Sequence, residues 1–175
     1  MALVTNKPVL LSISVELAVS CFREQPIGVS NFYPDRFVDI AHFAEIKPAV
    51  NQVETHVFQQ QKLAREYMKK YGTQIESWGP FAEGTNDLFT NPVLAQIGAA
   101  HSKTVAQAAL RFLIQSGVVV IPKSTHKNRM EENLNVFDFA LTEAEMVQIE
   151  ALDGAESLFF SHYDPQTVEW IVSLA

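Results

Sequence analysis

Residues 118–133 read VVVIPKSTHKNRMEEN, and the fold turns on the first five of them. Residues 118–122 are continuously apolar and β-branched, as expected of a strand buried on both faces of a parallel sheet. The polar stretch that follows reads as a helix from about Lys127 to Asn133, so the segment is a strand feeding a helix. Working back towards the N-terminus, the same unit recurs. Strands are expected at 27–30 (IGVS), 49–54 (AVNQVE) and 73–80 (TQIESWGP). Between them lie a helix opened by Pro34 and Asp35 and broken by Lys47-Pro48, and a polar helix over about 60–70 ended by Gly72. After a loop at 81–89, two helical segments start at the N-caps Asn91 and Thr104, the second closed by Gly117. Towards the C-terminus, 141–152 is an amphipathic helix with Thr142 and Glu145 in capping-box spacing, and the tail holds a short helix. Four strands alternating with helices imply an α/β fold with parallel strands and right-handed crossovers. A closed eight-stranded barrel takes about 250 residues. With 175 residues the expected architecture is therefore a partial (β/α)8 TIM barrel, a half-barrel of about four parallel strands with flanking helices.

Composition sets outer limits. The chain is 47% hydrophobic and 19% charged, with no repeat or linker, and is read as one domain over 1–175: an atypical segment at 1–25 and the half-barrel at 26–175. The net charge of −7 argues against a nucleic-acid or anionic-membrane partner, each of which needs a basic face. One cysteine, Cys21, excludes an intrachain disulfide and a cysteine zinc site; a cytoplasmic setting is the simplest reading. The apolar run at 9–21 is interrupted by Glu16 and preceded only by Lys7, so it reads as a structural segment and not as a leader. It falls short of the ~18 apolar residues of a membrane span. Leu11, Ile13, Val15 and Leu17 alternate with polar residues, which favours a strand there, although Leu10, Leu17 and Cys21 also suit a helix.

Four short stretches stand at the C-terminal ends of the four strands, where loops and helix N-termini of βα units converge: GVSN (28–31), NQVE (51–54), SWGPFAEG (77–84) and IPKSTHKNRMEEN (121–133). Singly they are unremarkable: Lys123 and Arg129 read as solvated charges, and Trp78 as a core or rim aromatic. Together, in this order, they resemble the C-terminal half of the aldo-keto reductases, (β/α)8-barrel oxidoreductases that use a nicotinamide dinucleotide, usually NADPH. The bacterial branch acting on small carbonyls and keto-sugars is most similar, and the resemblance runs from about Ile27 to Trp170.

The resemblance implies a role for each position. Ser30, Asn31 and Gln52 would hold the nicotinamide carboxamide, Trp78 would stack on its ring, and the loop from Gly79 through Pro80 and Phe81 to Gly84 would lie against the pyrophosphate. Lys123, Ser124 and Arg129 would hold the 2′-phosphate of NADP(H), and Glu132 and Asn133 the adenine. The side-chain chemistry agrees: short amides and hydroxyls suit a carboxamide, an aromatic face suits a flat ring, and two cations six positions apart can converge on one phosphate. His56 is not expected to be catalytic, and His42, His101 and His126 are expected on exposed helices or loops.

The family's proton-relay residues, an Asp, a Tyr, a Lys and a His, belong to the first half of its barrel. No stretch before Ile27 offers them, so no catalytic residue is assigned and the chain alone is expected to be inactive. Three readings stay open: a truncated reductase; one chain of a split reductase completed by a homodimer or a complementing half-barrel chain; and a non-catalytic half-barrel that binds NADP(H) or a protein. Exposed sheet edges would favour a partner in each case.

Overall fold

The computed structural model describes residues 27–174. Strand β1 (Gly28–Ser30) leads through Tyr33 to helix α1 (Pro34–Phe43), whose proline occupies the first turn, where no amide donor is needed. The helix stops short of Lys47-Pro48, with Ala44 already extended. Strand β2 (Val50–Glu54) and helix α2 (Lys62–Tyr71) follow. Gly72 caps α2 at φ +74°, a conformation that disfavours any residue with a Cβ. Strand β3 (Gln74–Trp78) enters a loop containing two 3₁₀ turns, Ala82–Gly84 and Leu88–Thr90, which periodicity did not reveal.

Helices α3 (Pro92–Ala100) and α4 (Val105–Gln115) begin at the expected caps. The Asn91 side chain accepts from two backbone amides, and Thr104 forms a reciprocal capping box with Gln107. Their junction is tight: a Cβ on Gly98 would lie 2.7 Å from the Lys103 carbonyl oxygen. Strand β4 (Val119–Val120) is followed by α5 (Lys127–Leu134), α6 (Glu143–Glu150, boxed by Thr142 and Glu145) and α7 (Pro165–Ser173).

The sheet is parallel throughout, in the order β1-β2-β3-β4. Its register aligns Ser30, Gln52, Glu76 and Val119 in one row, and Glu54 with Trp78 in a row further along. The alternate residues Val53 and Ile75 face the helices and join Phe37, Ala41, Met68, Leu94, Phe112, Leu113 and Ile149 in the core. The continuous apolar run at 118–122 implies a fourth strand buried on both faces, yet only Val119–Val120 pairs, and Val119 and Ile121 are 43% and 49% exposed while Val118 is buried. Helices cover one face, so alternate side chains of an apolar strand are left on the other. The chain is the four-stranded part of a (β/α)8 barrel, with β1 and β4 at the margins of the sheet among the described residues. The strand or helix expected at 10–21 lies outside those residues. No helix among them is long and apolar enough to cross a membrane.

Candidate functional site

The carboxyl ends of β1, β2 and β3 meet at Trp78. Buried Asn51 fixes the exit of β1: its amide nitrogen donates to the Phe32 carbonyl (2.8 Å), and its oxygen accepts from the Phe32 amide (3.4 Å). Asn31 takes a left-handed conformation (φ +56°), tolerated by its short amide, and its backbone amide donates to the Gln52 carbonyl (2.8 Å). The Trp78 indole N–H donates to Asn31 Oδ1 (2.7 Å), Ser30 Oγ donates to the Gln52 carbonyl (3.1 Å), and Gln52 Nε2 donates to Glu76 Oε1 (2.5 Å). Ser30, Asn31, Gln52 and Trp78 are thus brought together, with polar atoms directed at one another and at the neighbouring sheet.

Trp78 also meets two rings from the C-terminal segment. Phe160 lies nearly parallel to it (18°, centroids 6.0 Å apart), and Phe159 is tilted at 5.3 Å. These rings belong to a strap, residues 157–162, anchored at both ends. At one end Glu54 accepts from Ser157 Oγ (2.5 Å) and from the Leu158 amide (2.9 Å); at the other the His162 amide donates to the Tyr33 hydroxyl (3.2 Å). Glu54 is buried and also bonds His56 Nε2 at 3.0 Å. The Phe58 amide donates to His56 Nδ1 (3.2 Å), which places the imidazole proton on Nε2, facing the carboxylate. Burial alone would raise the proton affinity of Glu54. The hydrogen bonds from His56, Ser157 and Leu158 outweigh it, and its pKa lies below the ordinary carboxylate value.

The other end of the site lies between β4, α5 and the loop after β3. Lys123, Ser124, Arg129, Glu132 and Asn133 line one pocket of about 550 Å³, together with Phe81, Phe89 and the start of α4. Neither Lys123 nor Arg129 forms an ion pair among the described residues. Glu132 accepts from the Thr104 hydroxyl, which ties α5 to the α4 cap. Between the two ends, Gly79 (φ +64°), Pro80, Phe81 and the turn to Gly84 fold tightly through bonds from the Ala82 amide to the Gly79 carbonyl (2.8 Å) and from the Gly84 amide to the Phe81 carbonyl (2.9 Å).

Sequence reasoning missed Glu54, Tyr33, Phe159 and Phe160 as parts of this site. The one available signal was a pair of adjacent phenylalanines in a polar tail. His42 and His126 are exposed as expected. His101 departs from expectation: it is half-buried and bonds Glu145 at 2.9 Å, because the capping carboxylate of α6 reaches across to the end of α3.

A four-stranded parallel α/β sheet with a pocket at its carboxyl edge is the architecture of half a (β/α)8 barrel. Residues 25–154 match the model of the Aldo/keto reductase family, and the chain belongs to that family. It is 47% identical over 130 residues to glyoxal reductase of Bacillus subtilis (strain 168), covering 74% of this chain and 46% of that protein. It is 45% identical over 132 residues to 9,11-endoperoxide prostaglandin H2 reductase of Trypanosoma cruzi (strain CL Brener), covering 75% and 47%. The chain therefore spans about half the length of the curated relatives it matches. Among solved structures, the aldo-keto reductase MGS-M4 from a Medee basin deep-sea metagenome library superposes with a TM-score of 0.78 at 36% identity, over 87% of this chain and 58% of that one. A mutant of Gox0644 in complex with NADPH gives a TM-score of 0.74 at 36% identity, over 78% and 50%.

Proposed function

We propose that these residues form the cofactor-holding part of an NADP(H)-dependent carbonyl reductase site. The observation that carries this reading is the pocket in which Lys123, Ser124 and Arg129 converge with Glu132 and Asn133. Two cations of different shape, without an ion pair among the described residues, beside a hydroxyl suit a phosphomonoester, with Arg129 able to bind it bidentately. The cofactor's 2′-phosphate would lie there, its adenine against Glu132 and Asn133, its pyrophosphate along Gly79–Pro80–Phe81, and its nicotinamide near Trp78, with Ser30, Asn31 and Gln52 at the carboxamide. The family membership and the NADPH-bound relative support this assignment. When bound, the dinucleotide supplies the hydride for reduction of an aldehyde or ketone to an alcohol. The proton would come from groups that residues 27–174 do not supply, so the chain by itself is expected to bind without turnover. It is expected to act as a single cytoplasmic domain.

Titration calorimetry with 2′,5′-ADP and with NADPH tests the reading. Saturable binding of both at one site per chain is expected, and no heat from either overturns it. A second reading concerns assembly. Ile27, Val119 and Ile121 are large apolar residues exposed at the two marginal strands, which favours a second copy or a complementing half-barrel against them. A mass in solution above that of one chain is the expected result, and a monomer at high concentration removes the homodimer.

A further inference from the structure

We propose that the strap at residues 157–162 is an internal cap on the ring end of the site: Phe160 takes the indole face of Trp78 that a flat cofactor ring would use, so the ring end binds only when the strap lifts, whereas the phosphate end binds without it. This rests on the cofactor assignment above. Three features converge on it. Phe160 stacks nearly parallel on Trp78, with Phe159 beside it, so the aromatic surface is already engaged. The strap is held at its two ends by three hydrogen bonds, two at Glu54 and one at Tyr33, which lifting would break. Ala155, just ahead of the strap, sits at φ +55°, a left-handed conformation that a residue with a Cβ rarely takes, so the chain turns sharply where the strap begins. Among the described residues no comparable cover lies over the pocket formed by Lys123, Ser124 and Arg129, whose lining also comes from the start of α4, from α5 and from the loop after β3.

The consequence is an affinity difference between two ligands that share one half. Binding of 2′,5′-ADP is indifferent to the strap, and binding of NADPH works against the Trp78–Phe160 stack. Phe160→Ala on the full chain is therefore expected to tighten NADPH about three- to tenfold and to leave 2′,5′-ADP unchanged. Ser157→Ala, which removes one anchor from a partly exposed position, should move NADPH in the same direction by less. Trp170→Phe leaves Trp78 as the single tryptophan. In that background, acrylamide quenching is expected to rise in both variants, since the indole loses its cover. Unchanged quenching overturns the cap. So does unchanged or weaker NADPH binding in Phe160→Ala while 2′,5′-ADP still binds, and that result leaves the cofactor site standing. Equal tightening of both ligands also overturns the cap, because no selectivity for the ring end exists. Failure of both ligands to bind any variant overturns the cofactor assignment and the cap with it.

Discussion

Two ends of one sheet edge present their polar atoms in opposite ways. Around Trp78, the indole N–H is given to Asn31, the Gln52 amide to Glu76, and the ring face to Phe160. Around Arg129, two cationic heads border an open pocket, and among the described residues neither forms an ion pair. The difference follows from connectivity. The first end is bordered by the C-terminal strap, which brings rings and backbone amides to it. The second is bordered by helix starts and a loop, which leave room. An anion can enter the second end without breaking a protein contact, whereas a ligand at the first must replace contacts of similar strength.

The largest expected effect is at the open end. Lys123→Ala combined with Arg129→Ala removes two charge-assisted contacts of about 1.5–3 kcal/mol each, so 2′,5′-ADP affinity should fall at least about 100-fold. Both side chains are at the surface of the pocket, so the urea midpoint should hardly move. Calorimetry and urea denaturation on the same preparation check the two statements, and a loss below tenfold would place the phosphate elsewhere.

The closed end should show the reverse pattern, a loss of stability with phosphate binding intact. Glu54→Ala leaves the buried His56 N–H and the Leu158 amide without their acceptor, at a cost of about 2–3 kcal/mol, while the Ser157 hydroxyl can still donate to the Phe160 carbonyl. Acidification should reproduce part of this in the unaltered chain. The folded-state pKa of Glu54 lies below its ordinary value of 4.5. Its contribution is therefore complete above that pH and is lost as pH falls through the lower folded value. A series of urea midpoints between about pH 6 and pH 3 should bend downwards below 4.5, less so in Glu54→Gln; equal curvature in both assigns the effect to other carboxylates.

The two ends also differ in how far the sequence foretold them. Lys123, Ser124, Arg129, Glu132 and Asn133 lie within 11 consecutive positions on one strand end and one helix, so their nearness is local, while their joint role is what the family resemblance implies. The caps at Asn91, Thr104 and Thr142, and the parallel order of the strands, were legible for the same reason. Glu54 and Ser157 are separated by 103 positions, and no local rule brings them together. Ser30, Asn31, Gln52 and Trp78 lie at the carboxyl ends of three neighbouring strands, but their mutual hydrogen bonds depend on strand register, which composition does not specify. The exposed half of the fourth strand was illegible because a continuous apolar run looks the same whether one face or both are covered.

The smallest predicted change is also the finest probe of the closed end. Trp78→Phe keeps a smaller aromatic ring against Phe159 and Phe160 and removes part of the ring area together with the indole N–H that Asn31 Oδ1 accepts. Asn31 is only half-buried, so water can replace that donor, and the net cost should be about 0.5–1 kcal/mol, seen as a lower urea midpoint with an unchanged slope. A cost above about 2 kcal/mol would mean that Asn31 cannot rehydrate and that the closed end is a sealed lock rather than a lifted cover. In the expected case the freed Asn31 oxygen becomes an available acceptor for a carboxamide N–H. Binding of 2′,5′-ADP should stay as it was, because nothing at Lys123 or Arg129 has changed, and any effect on NADPH then reports the ring end alone.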